Sequence, residues 1–180
     1  IRLSLVGSEM CIRDSHIHMV SPVTGAPDEV FLAAGDYAAE PRLLRLNLKS
    51  GACFVVGGGS QEWRLLDLIQ EGPRLIWGSD CDRDENYVYE LAPGDREPRR
   101  LCRLPGPAYA ACRDSGGGMY LATAVEDRRR HRACIFASPD GRHWEMTRCF
   151  AKDPLPARLF GYGVISFLRG QEELPRLYFS

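Results

Sequence analysis

Three stretches decide the fold: DEVFLAAGD at residues 28–36, PRLIWGSD at 73–80 and GMYLATAVED at 118–127. Each is a short run of aliphatic and aromatic residues that closes on an acid, and their starting points lie 45 residues apart both times. Outward from them, a second run follows in each case: PRLLRLNLKSG (41–51), NYVYELAPGD (86–95) and RACIFASPDG (132–141), each closing on a glycine-containing turn. ACFVVGG (52–58), PRRLCRL (98–104) and HWEMTRCF (143–150) come after those turns. HIHMVSP (16–22), EWRLLDLI (62–69) and PAYAACRD (107–114) come before the first runs. Alternation, β-branched and aromatic content, and Gly, Pro, Asp or Asn at every junction predict strands, while no stretch sustains a 3.6-residue period. Each unit is therefore expected to hold four strands, with little helix in the chain.

Four-stranded units repeating every 40–50 residues are the pattern of β-propeller blades, which bury their faces against one another. The expected fold is an all-β propeller fragment, with an all-β sandwich of coincidental spacing as the competing reading. Its blades are 16–58, 62–104 and 107–150, with half a blade at 160–180 built from GYGVISFL (161–168) and PRLYFS (175–180). Three and a half blades fall short of the roughly four to eight that close a ring. Further blades of the same chain, N-terminal to it, are thus expected partners, and apolar blade faces are expected to be exposed.

The composition is that of a globular chain: 180 residues, 44% hydrophobic and 26% charged, with a formal charge of −1. No run approaches the roughly 18 apolar residues of a membrane helix. Lys49 and Lys152 are the only lysines among 23 basic residues, and 24 acids balance them, so no nucleic-acid partner is expected. Gly57-Gly58-Gly59-Ser60 lacks the lysine of a phosphate loop, and no G-x-S-x-G elbow occurs. No cofactor is expected. Leu5 to Ser15, LVGSEMCIRDS, resembles the translation of a transposon-based sequencing adapter. Residues 1–15 are accordingly read as a non-native segment, with the genuine chain beginning near His16 and its upstream part missing. Six cysteines remain, at 53, 81, 102, 112, 134 and 149, without a Cys-x-x-Cys pair; they are read as small buried hydrophobes. Localisation stays open.

In the third unit the turn reads Ser138-Pro139-Asp140-Gly141-Arg142-His143-Trp144. It resembles the Asp-box of sialidase-like propellers, in which Ser, Asp, Gly and Trp recur between the third and fourth strands of a blade. The likeness is one residue short before the tryptophan, lacks the usual preceding threonine, and covers seven residues in one copy. Local chemistry gives each residue a part: Asp140 accepts turn N–H groups, Gly141 supplies a positive φ, and Trp144 packs the turn on its blade. The resemblance implies a ligand face at the opposite end of the blades.

That end holds Asp36, Asp80 and Glu126, which open the loops between second and third strands and read as matching positions in three blades. Paired carboxyls at a defined separation are what glycosidic bond cleavage needs, so these three are the candidate catalytic residues. His16, His18, Gln61, Trp63, Arg64, Tyr109, Arg158 and Tyr162 are candidate substrate-binding residues: arginine to clasp a carboxylate, tyrosine and tryptophan to offer faces to a sugar. His16 and His18 can project to one side of a strand, but no metal is assigned to them. A carbohydrate or other small polar molecule is the expected ligand, acted on or only bound. The alternative is a non-catalytic propeller that scaffolds other proteins.

Overall fold

The computed structural model describes residues 16–81, 85–126, 131–155, 159, 161–168, 170 and 173–180. The expected adapter segment and Arg158 lie outside them. The chain divides into two compact units, Ile1–Arg64 and Leu65–Ser180.

The first unit is a four-stranded antiparallel meander of β1 (Ile17–Val23), β2 (Ala26–Ala34), β3 (Arg42–Asn47) and β4 (Cys53–Gly58). Cross-strand rows alternate between its faces: Met19, Ala33, Leu43 and Gly57 form one row, and Val20, Leu32, Leu44 and Val55 the next. The β3–β4 turn is set by Asn47, whose side-chain oxygen accepts the N–H groups of Lys49 and Ser50 at 3.1 and 2.9 Å. After β4, Gln61–Trp63 make one 3-10 turn. It lays the Trp63 indole so close on Gly57 that a Cβ there would stand 2.1 Å from the ring.

The second unit holds two more meanders. One is β5 (Ile69–Glu71), β6 (Arg74–Gly78), β7 (Asn86–Leu91) and β8 (Arg99–Leu104); the other is β9 (Ala108–Arg113), β10 (Met119–Thr123), β11 (Arg132–Ser138) and β12 (Glu145–Ala151). A shared core of Ile69, Ile76, Val88, Leu104, Met119, Leu121, Phe136 and Trp144 joins them. At Gly78 the strands approach so closely that a Cβ would lie 2.3 Å from that of Ala108. Asp67 adds a polar clip: its carboxylate accepts the Leu68 N–H at 2.9 Å and the Ala111 N–H of β9 at 2.8 Å. That bond occupies an edge-strand donor that the ladder leaves over. The other face of the β9–β12 sheet packs Ala122, Ala133 and Ile135 against Ile165, Phe167 and Leu177 of the C-terminal segment.

All three sheets share one irregularity. The ladder between third and fourth strands shifts register between Leu43 and Leu44, between Val88 and Tyr89, and between Ile135 and Phe136. The extra residues are Val56, Leu101 and Thr147, so the repeat read from turn signals is also a repeat of backbone geometry.

Several expectations are corrected. The first strand of the second set is three residues, Ile69–Glu71, rather than most of 62–69, because Gln61–Trp63 turn as 3-10 helix and Asp67 caps the next sheet. Among the described residues of 161–180, the runs 161–168 and 175–180 meet at the isolated bridge of Phe167 with Phe179, flanked by backbone bonds of Ser166 with Ser180 and of Leu168 with Tyr178, and Gly163 bridges to Val125. Cys134 and Cys149 are not separate apolar side chains: they face each other across β11 and β12 and are disulfide-bonded. Cys53, Cys81, Cys102 and Cys112 are not disulfide-bonded, and Cys81 is buried.

Candidate functional site

In the second unit, backbone hydrogen bonds outside the ladders stitch four loops together at one end of the sheets. Ala108 N–H donates to Ser79 O at 2.9 Å and Ala124 N–H to Pro107 O at 2.8 Å; Val125 and Gly163 exchange bonds of 2.8 and 3.1 Å. The residues next to these links are Asp80, Tyr109, Glu126 and Tyr162, so the stitching brings four candidate residues to one place.

Tyr109 is aimed by a bulge. Ala122 pairs with Ala110 and Thr123 with Ala108, which leaves Tyr109 as the extra residue of β9. Freed from strict alternation, its hydroxyl donates to Glu126 Oε1. Burial first, then this hydrogen bond, holds the phenol far above its ordinary pKa, and the charges of Glu126 and Asp80 add to the effect. Tyr109 therefore stays a neutral donor at physiological pH. Asp80 is buried, on a loop closed by Asn86. The Asn86 side chain accepts from Cys81 N–H at 2.8 Å, donates to Cys81 O at 2.8 Å and receives the Ser79 hydroxyl at 3.1 Å. The candidates read from sequence omitted Ser79 and Asn86. The available signal was an asparagine directly after an acid-rich loop, where a turn-closing amide belongs.

The first unit repeats the device. Ile17 pairs with Ala34 and Met19 with Ala33, so His18 is the extra residue of β1. His18 Nε2 lies 2.9 Å from Asp36 Oδ1, and His16 Nδ1 lies 2.7 Å from Asp36 Oδ2. Arg64 Nη2 is 3.9 Å from the same carboxylate. Gln61 fastens the loop by donating to Asp36 O at 3.3 Å and Ala38 O at 3.2 Å, where Ala38 holds a left-handed φ of 46°. Both imidazoles thus converge on one carboxylate. Among the described residues no group of three or more His, Cys, Asp or Glu is placed to hold a metal ion.

No family model matches this chain, and no curated protein matches it.

Two readings of the candidate residues change. Trp63 offers no stacking face, since its indole is buried against Gly57. The three acids are not at matching positions either. Ala33, Gly78 and Ala122 are equivalent, because they pair with Leu43, Val88 and Ile135 beside the shared bulge. Asp36, Asp80 and Glu126 follow them by three, two and four residues.

The turn at 138–144 lies at the far end of β11 from Glu126. Asp140 Oδ1 accepts the N–H groups of Arg142 and His143 at 2.8 and 2.9 Å, and the Ser138 hydroxyl at 3.1 Å. Its other oxygen meets His143 Nδ1 at 2.7 Å. These contacts, the His143 N–H first, hold the Asp140 carboxyl well below its ordinary range. Gly141 sits at φ 71°, and Trp144 Nε1 donates to Gly141 O at 3.0 Å. Each of these contacts lies within the turn itself.

Proposed function

We propose that the chain belongs to a sialidase-like β-propeller whose mouth binds carbohydrate and, with the ring complete, hydrolyses it. Three successive four-stranded meanders with a common bulge are what a run of blades requires. The turn at Asp140 joins the third and fourth strands of its sheet, which supports reading it as an Asp-box. Further blades of the same chain would close the ring.

The observation that carries the reading is Tyr109, turned out of its strand by a bulge onto Glu126 beside Asp80. Bulges of this kind re-aim side chains at functional sites. Glu126 and Asp80 supply the two carboxyls that glycosidic cleavage takes: one to protonate the leaving oxygen, the other to activate water or attack the anomeric carbon. Tyr109 orients Glu126 as a neutral donor, and Tyr162 offers a ring to the sugar. His16, His18, Asp36 and Arg64 form a second polar cluster in the first unit.

The test is sugar binding by the 180-residue chain, and hydrolysis of a panel of aryl glycosides by the chain extended with further blades. Glu126→Gln and Asp80→Asn are expected to abolish turnover while the fold, followed by circular dichroism, is kept. Absence of both turnover and binding at millimolar sugar overturns the reading. A stable protein partner whose capture survives these substitutions would favour the scaffold alternative.

A further inference from the structure

On the face of the β9–β12 sheet that carries Ala122 and Ile135, a groove of about 390 Å³ lies open near the turn at 138–144. Its floor is one cross-strand row, Tyr120, Ala137 and Glu145, and Gly118, His143 and Thr147 stand around it. The shared bulge gives these positions counterparts on the β5–β8 sheet. Counting back from Gly78 and Ala122, Ile76 matches Tyr120 and Arg74 matches Gly118; across the ladders Glu90 matches Ala137, and the extra residue Leu101 matches Thr147. On the β5–β8 sheet this place is filled by the third-to-fourth-strand turn of the sheet that follows. Gly141 lies so close to Ile76 that a Cβ on it would stand 2.6 Å from Ile76 Cδ1. Arg74 donates to Glu90 at 2.7 Å and, through its other terminal nitrogen, to Asp140 O at 3.0 Å. Trp144 shares a core with Ile76, and Leu101 packs on that core.

The remainder of the same face of β9–β12 is covered in the way that β9 covers β6. Gly163 exchanges backbone bonds with Val125 as Ala108 bonds to Ser79, and Ile165 and Phe167 pack on Ala122 and Ile135. The run 161–168 meets 175–180 at the Phe167–Phe179 bridge, and Leu177 joins the same cluster. Two antiparallel runs thus lie on this face where the first two strands of a following sheet belong.

We infer that the groove at Tyr120, Ala137 and Thr147 is the seat for the third-to-fourth-strand turn of a further four-stranded sheet of the same chain, the sheet that 161–168 and 175–180 begin. The assignment rests on the propeller reading above and goes beyond it to the surface and the segment that meet. A glycine of the incoming turn rests on Tyr120 as Gly141 rests on Ile76. The Tyr120 ring is fixed before docking: its hydroxyl donates to Asp114 Oδ2 at 2.8 Å, and the other oxygen of that carboxylate accepts the N–H groups of Gly116 and Gly118 at 2.9 and 2.8 Å. Gly118 and Ala137 fill far less room than Arg74 and Glu90, so the incoming turn brings side chains of its own into the space that those two occupy on the β5–β8 sheet.

Ala137→Cys and Thr147→Cys each place a thiol in the groove. Their alkylation by iodoacetamide is followed by peptide mass mapping, which separates them from the native cysteines, in the 180-residue chain and in the chain extended with further blades. Both thiols are expected to react about tenfold or more slowly in the extended chain, because thiol reactivity follows exposure. A benzophenone side chain in place of Thr147 is expected to crosslink, within one molecule of the extended chain, to the turn between the third and fourth strands of the next sheet. Equal alkylation rates in the two chains overturn the assignment, as does a crosslink to another segment or to a second copy, while the propeller reading stands. An extended chain without a further four-stranded sheet overturns the propeller reading, and the seat falls with it.

Discussion

Reduction of the Cys134–Cys149 bond should weaken the second unit by an amount that follows from chain length. The bond joins residues separated by 15 positions and ties β11 to the outer strand β12. Closing a loop of that size removes conformational entropy from the unfolded chain worth about 3 kcal/mol. Because β12 is largely solvent-exposed, little apolar burial compensates when the bond is opened. The assay is urea unfolding with and without reductant, followed by the fluorescence of Trp77 and Trp144, which both belong to this unit. With a urea dependence of about 1–3 kcal/mol per molar, the midpoint should fall by about 1–3 M on reduction. The Cys134→Ala/Cys149→Ala variant should match the reduced protein and ignore reductant. Thiols are counted in denaturant, since burial raises the pKa of Cys102 in the fold and slows its reaction. Two of the seven cysteines should react only after reduction. A midpoint that reductant leaves unmoved, or seven reactive thiols in the oxidised protein, would refute the reasoning.

Further outcomes are expected at five positions. Gly141→Ala forces a Cβ to within 2.6 Å of Ile76 Cδ1 at a φ of 71°, and should cost about 2–4 kcal/mol in the same unfolding assay; Gly94→Ala, at φ 88° in open space, should cost about 1–2 kcal/mol, from backbone strain alone. Asp67→Ala strands the Ala111 and Leu68 N–H groups and should cost about 1–3 kcal/mol. Burial, outweighing its two backbone bonds, raises the Asp67 pKa above 3.8, so its pH-linked contribution is full below that value and lost as pH rises through the raised one. The stability of the wild type relative to Asp67→Asn should fall over that interval, and an advantage that grows with pH would contradict the assignment. Asp140 has the opposite sign: its lowered pKa makes its contribution full above the ordinary carboxylate value of 3.8 and lost as pH falls below it, a slope that Asp140→Ala should remove from acid-unfolding curves. Gly57→Ala drives a methyl into the Trp63 indole and should cost about 1–3 kcal/mol or more, visible as a shift in Trp63 fluorescence; an unperturbed spectrum would show that the ring does not rest there.

The sequence by itself determined the strand inventory and its repeat. Alternation and turn residues are local quantities, and they located eleven of the twelve strands among the described residues, β5 being the one displaced. The roles of Asp140, Gly141 and Trp144 were equally legible, because a turn is built from neighbours in sequence. What chain order cannot encode is which side chains a register brings together. One extra residue in β1 and one in β9 turn His18 onto Asp36 and Tyr109 onto Glu126, and nothing in the composition of HIHMVSP or PAYAACRD marks where the bulge falls. The same holds for Trp63, whose ring matches a sugar platform as well as a core residue until Gly57 is placed under it. The pairing of Cys134 with Cys149 is also a fact of register, since six cysteines without a short motif admit many partners. Local propensity sets the elements over a few residues. The site is decided by contacts across tens of residues, where a shift of one position sends a side chain to the opposite face.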